Sequence, residues 1–144
     1  MIPKRMKTFC LPLVCCLALA LVFFQVPAKC HGFEISIDVA PSTLNIQSQG
    51  EVVTVHTSIA YSSVAGGTVT LNDIPISWWK ADNQGNFVAK FLMSEVKALA
   101  DSGALVVPGE NKLTLVGLTT GTEAVDFTGT ETITVIDVKP AARK

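Results

Sequence analysis

Apolar and polar residues alternate along most of the chain beyond residue 32, and this alternation restricts the fold more than any other feature. Phe33, Ile35, Ile37 and Val39 fall on one face of a segment whose other face carries Glu34, Ser36 and Asp38. Val53, Val55, Thr57 and Ile59 repeat the pattern against Thr54, His56 and Ser58. Period two is the spacing of a strand with one buried face, because successive side chains leave a pleated backbone on opposite sides. Helices cannot use it. The β-branched content of both runs favours strands as well.

A hairpin over residues 76–91, I-S-W-W-K-A-D-N-Q-G-N-F-V-A-K-F, organises the rest. Residues 81–86 form its turn, since Asp and Asn tolerate left-handed backbone and Gly85 supplies positive φ. Phe87, Ala89 and Phe91 line the return strand, with Val88 and Lys90 outward. Ile74, Ile76 and Trp78 read as one apolar face of the outgoing strand, with Trp79 turned outward. Adjacent tryptophans on a strand must point to opposite faces, so at most one is core.

Turn formers punctuate the remainder. Pro41 lacks the N–H that a ladder needs and ends the first strand; a short strand follows through Leu44 and Ile46, then a turn at 47–50. Residues 61–67 read as a loop, with Gly66 and Gly67 supplying backbone freedom. Val69 and Leu71 mark a strand ending at Asn72 and Asp73. Ser94 as N-cap, Glu95 in the first turn and Val96, Leu99 and Ala100 at helical spacing predict one short helix, closed by Gly103. After a turn at 108–111, Leu113 and Leu115 make a strand, Val125 and Phe127 another, and Ile133, Val135 and Ile136 a last one. Short strands with turns at this spacing predict an all-β antiparallel sandwich with one short helix between strands.

The first 28 residues read differently. Lys4, Arg5 and Lys7 precede an almost wholly apolar stretch over residues 9–24, and Val26 and Ala28 place small residues at −3 and −1. That is the order of a secretory signal peptide, with cleavage after Ala28. The apolar stretch is shorter than the roughly 20 residues that span a bilayer, so cleavage is preferred to an uncleaved N-terminal anchor. Cys15 follows Val14 and Cys30 follows Lys29, where lipid attachment wants a small residue. The chain therefore divides into a signal peptide (1–28), a sandwich (29–138) and a flexible polar tail (139–144). Localisation is expected to be periplasmic, extracellular or at the cell surface, with no membrane insertion once the signal is removed.

Charge and cysteine content exclude several classes. Three of the 11 basic groups lie in the leader, leaving eight against 12 acidic ones, a net charge of −4. This gives no electrostatic footprint for nucleic acid. Cys10, Cys15 and Cys16 also fall in the leader, and Cys30 alone cannot form an internal bridge. The core must hold by burial. Cys30 reads as a linker residue or as an intermolecular thiol.

Several motifs, in order along the chain, resemble a known family. They are Ile37-Asp38-Val39-Ala40-Pro41-Ser42-Thr43-Leu44-Asn45; Gly50 with Val53-Thr54-Val55; Val69-Thr70-Leu71-Asn72; the 87–91 strand with a helix after it; and Phe127-Thr128-Gly129 with Ile133-Thr134-Val135-Ile136. Together they look like an immunoglobulin-like β-sandwich module of secreted and cell-surface bacterial and archaeal proteins. The resemblance covers most of the chain from Ile35 to Asp137. It implies an extracellular accessory module, often part of a longer protein, without catalytic residues. Relatives often carry an acidic, calcium-loop-like turn in the central hairpin. Here that turn has a single carboxylate.

Candidate chemistry is sparse. Calcium wants six or more oxygens, usually from several carboxylates. Asp82, Asn83 and Asn86 offer one charge and two amide oxygens, which the needs of a turn explain better. No metal and no cofactor is expected. No G-x-S-x-G, H-E-x-x-H or C-x-x-C occurs, and His31 and His56 are the only histidines. His56 falls on a polar strand face, the place of a solvated side chain, so no enzyme is expected. Trp79 and Tyr61 are the candidates for ligand or partner contact, because an exposed aromatic can stack on a sugar or anchor a protein. The expected role is a non-enzymatic structural or interaction domain engaging a protein or glycan at the cell surface. The alternative is a carbohydrate-binding module with an exposed Trp platform.

Overall fold

β-Branched and aromatic residues at alternate positions build two sheets that face each other across one apolar core. The computed structural model describes residues 32–141. The leader with its cleavage site, Cys30, His31 and residues 142–144 lie outside the described residues. One sheet contains β1 (Phe33–Ile35), β3 (Thr43–Asn45), β5 (Thr70–Leu71), β6 (Ile74–Pro75), β9 (Gly109–Leu118) and β10 (Asp126–Ile136). Its order is β1-β10-β9-β5-β6, with β3 also paired to β10. The other contains β2 (Ile37–Ala40), β4 (Val52–Ala60), β7 (Trp78–Ala81) and β8 (Asn86–Leu92), in the order β2-β4-β8-β7. A short helix, α1 (Met93–Asp101), joins β8 to the segment before β9. No helix among the described residues is long and apolar enough to cross a membrane.

The core is the set of inward positions that alternation predicts. Val53, Val55, Phe87, Ala89 and Phe91 come from one sheet; Leu71, Leu113, Leu115, Phe127, Ile133 and Val135 come from the other. Thr57 is buried among them, its hydroxyl donating to the Phe87 carbonyl at 2.6 Å, so a polar group in the core stays satisfied.

Three expectations need correction. The run 33–39 is two strands rather than one. β1 pairs parallel with β10, and the chain then changes sheets at Ser36 so that β2 pairs antiparallel with β4. Alternation survives the change, which is why the sequence reads as continuous. The second correction concerns the C-terminal strands. Residues 126–136 are a single strand, paired with β9 along its length. Gly129 lies inside it, where a Cβ would stand 2.5 Å from Ile37 Cγ2. The glycine allows close approach of the opposing sheet and makes no turn. Third, α1 begins at Met93 with Leu92 in the capping position and no side-chain cap, so Ser94 is inside the helix. Gly103 does end it, at φ +80°, with its N–H on the Ala100 carbonyl.

Candidate functional site

The hairpin β7–β8 is the outer edge of the four-stranded sheet, and its register fixes where both tryptophans point. Trp78 pairs with Lys90, Trp79 with Ala89, Lys80 with Val88 and Ala81 with Phe87. Ala89 and Phe87 face the core, so Trp79 is on the core side and Trp78 on the outer face. This reverses the expected orientation. The cause is a crossing between sheets: β6 belongs to one sheet and β7 to the other, with Ile76 and Ser77 between them. Ile74, Ile76 and Trp78 therefore never form one strand, and their alternation does not carry across.

Neither tryptophan is core. Trp78 is 45% exposed and Trp79 39%. Trp79 lies over the 3₁₀ turn Gly66–Thr68, covering the open side of the sandwich; a Cβ on Gly66 would sit 2.2 Å from its ring. Gly66 is required by that contact rather than by backbone freedom. Tyr61 is 40% exposed and stacks on Phe87, with ring centroids 6.2 Å apart. The two candidate contact residues each have one side of the ring engaged by the scaffold.

Trp78 belongs to a different environment. Lys90 Nζ lies 4.3 Å from its ring centroid, a cation–π pair made directly across the strand ladder. Val88 shares this outer face and yet is fully buried, outside the main core cluster. Its cross-strand partners are Lys80 and His56. The outer face thus carries a small apolar and cationic cluster of its own, which sequence alternation had assigned to solvent.

At the other side of the same face is a shallow cleft of about 310 Å³ lined by Ser36, Asp38, His56, Ser58, Asp82, Gln84 and Asn86, among others. The β4–β8 register shifts between His56 and Ala60, and Ser58 turns to Ser36, whose N–H donates to Ser58 Oγ at 3.1 Å. Separation of the strands opens the cleft. Asp38 is the direct cross-strand partner of His56.

Turn chemistry occupies Asp82. Its Oδ1 accepts the main-chain N–H groups of Gln84 at 2.8 Å and Asn86 at 2.9 Å. Gly85 supplies φ +83°, as its place in the turn demands. The Asn86 N–H holds the Asp82 carboxyl below the usual carboxylate value; partial burial opposes this, while the Gln84 N–H and the His56 charge reinforce it. Asn83 is exposed, and the Asn86 amide donates to Gln84 Oε1 at 3.5 Å. Among the described residues no group of three or more His, Cys, Asp or Glu is placed to hold a metal ion.

No family model, curated protein or solved structure matches this chain. Function must therefore be argued from the two sides of one sheet face. Ser58, His56 and Asp38 have the composition of a hydrolytic triad, but such a triad works through short hydrogen bonds from nucleophile to base to acid. Among the described residues no hydrogen bond links His56 to Asp38, Asp82 or Ser58.

Proposed function

We propose that this chain is an exported, non-enzymatic immunoglobulin-like β-sandwich that works by interaction through the outer face of its β2-β4-β8-β7 sheet. The carrying observation is Trp78, nearly half exposed on that face between Lys80 and Lys90, where strand alternation alone asks only for polar residues. Export is supported by the order of charge, apolar stretch and small residues in the leader. The immunoglobulin-like reading is supported by strand order. With β2, β4, β5, β7, β8, β9 and β10 lettered A to G, one sheet is A-B-E-D and the other has G-F-C contiguous. A mature N-terminus at Lys29 in material recovered outside the cytoplasm is the expected result of expressing the full chain. Recovery only in the cytoplasm, with Met1 retained, would refute export.

A carbohydrate-binding module is the second reading, favoured by the same exposed indole. Its platform is then Trp78, which stands on the outer face and is more exposed than Trp79, on the core side, or Tyr61, stacked on Phe87. A glycan array tests it. Binding that Trp78→Ala abolishes is expected, and silence on every glycan would leave only the protein-partner form of the interaction reading.

A further inference from the structure

The cationic half of the outer face has a chemistry that the rest of the exported chain lacks. β7 and β8 carry Lys80 and Lys90 and no acidic residue, although the chain beyond residue 28 has four more acidic than basic groups. Neither lysine has a carboxylate partner among the described residues. Asp82, the acid next in sequence, is tied to the turn by two main-chain N–H groups. Trp78 and Lys80 project from the same side of β7 two residues apart, about 7 Å, and Lys90 stands across the ladder from Trp78 about 5 Å away. Val88 forms a dry floor between them.

Lys90 occupies one face of the Trp78 indole, so the exposed remainder of the ring is the apolar surface left for a ligand, and the ammonium groups beside it answer negative charge. An extended peptide would pair with the open main-chain edge of β7 and would not need the indole and lysine side chains of the outer face. A ring that bears both an apolar face and a carboxylate satisfies both halves of the patch.

Resting on the interaction reading, we propose that Trp78, Lys80 and Lys90 bind an acidic polysaccharide, the indole stacking on a uronic acid ring and the lysines receiving its carboxylates. Thr54, across the ladder from Lys90 on β4, adds a hydroxyl at the margin of the patch.

The test is affinity electrophoresis of the purified protein through gels holding polygalacturonate, its methyl-esterified neutral form, or polyglutamate. Retention by polygalacturonate alone is expected, weakened at least tenfold in Trp78→Ala and in Lys80→Ala/Lys90→Ala, and weakened by salt. Trp79→Phe should retain wild-type mobility shifts, and matching thermal melts would show that the Trp78 and lysine variants are folded. Equal retention by the esterified polymer would overturn the acidic class while leaving sugar binding standing. Equal retention by polyglutamate would reduce the site to a plain cationic patch and overturn the proposal. Absence of retention on polygalacturonate overturns it outright, and the glycan array then decides separately whether any sugar is bound.

Discussion

At the scale of single residues, the two tryptophans look interchangeable in sequence and differ in what they touch. Trp79 closes the side of the sandwich over Gly66, whereas Trp78 rests beneath Lys90 on an open face. Trp79→Ala should therefore cost on the order of 2 kcal/mol, the loss of a half-buried aromatic, and Gly66→Ala roughly 1–3 kcal/mol from overpacking. Trp78→Ala should stay within about 1 kcal/mol, the scale of an exposed cation–π pair. Denaturant melts of the three variants check this, and equal losses at Trp78 and Trp79 would contradict the assignment of faces. Asp82 gives a pH dependence of definite sign. Its carboxyl titrates lower in the folded than in the unfolded chain, where the ordinary value of 3.8 applies. The stabilisation is thus complete above that unfolded value and is lost as pH falls through the depressed folded value. Asp82→Asn should lower the melting temperature at neutral pH, and the two curves should converge as the solution is acidified below about pH 4. Curves that stay parallel down to pH 2 would assign the turn's stability elsewhere.

At the scale of elements, the segment from α1 into β9 is anchored in the core by Leu105 and tied to β9 by the side chain of Asn111. Asn111 is buried at the start of β9; its Oδ1 accepts the Val106 N–H at 2.7 Å, and its amide donates to the carbonyls of Val106 at 2.8 Å and Gly109 at 3.2 Å. Asn111→Ala leaves those main-chain groups unpartnered and should cost about 1–3 kcal/mol. Amide exchange measures it: the Val106 N–H should lose protection while that of Phe91 keeps it. Sequence reading placed Asn111 in a turn, because an Asn beside Pro108 and Gly109 looks like turn chemistry. Where one face of a strand is buried along its whole length, as in β4 and β8, the alternation of Val53, Val55, Phe87 and Phe91 was enough to fix the element and its inward face. Legibility failed where the chain changes sheets. Ile74 and Trp78 keep the right spacing for one strand, and nothing in period two records that the partner strand has changed between them. The same limit hid the candidate site. The burial of Val88 on an outer face depends on Lys80 and His56 arriving from neighbouring strands, a fact of register rather than of local pattern.

At the scale of the whole molecule, the N-terminal segment joins the two layers. β1 adds to β10, β2 crosses to β4, and β3 returns to β10, so Phe33 to Asn45 is shared between both sheets. One core cluster draws residues from β2, β3, β4, β8, α1, β9 and β10 alike, among them Ile37, Leu44, Val96 and Val135. A layer cannot leave without exposing the inner face of the other, and the segment that would have to unzip pairs with both. Unfolding should accordingly be a single cooperative transition. Trp78 and Trp79 sit on β7 at one sheet's edge, while β9 and β10 dominate the strand content of the other. Tryptophan fluorescence therefore reports on the β7 edge of one sheet, whereas far-ultraviolet circular dichroism reports on the backbone of both sheets. Their urea midpoints should coincide, and they should shift together in Leu44→Ala, a fully buried side chain whose truncation should cost about 2–5 kcal/mol. A fluorescence midpoint that moved ahead of the dichroism would show the β7–β8 hairpin opening by itself, and the sheet face carrying Trp78 and Lys90 would then be a dynamic surface instead of a rigid one.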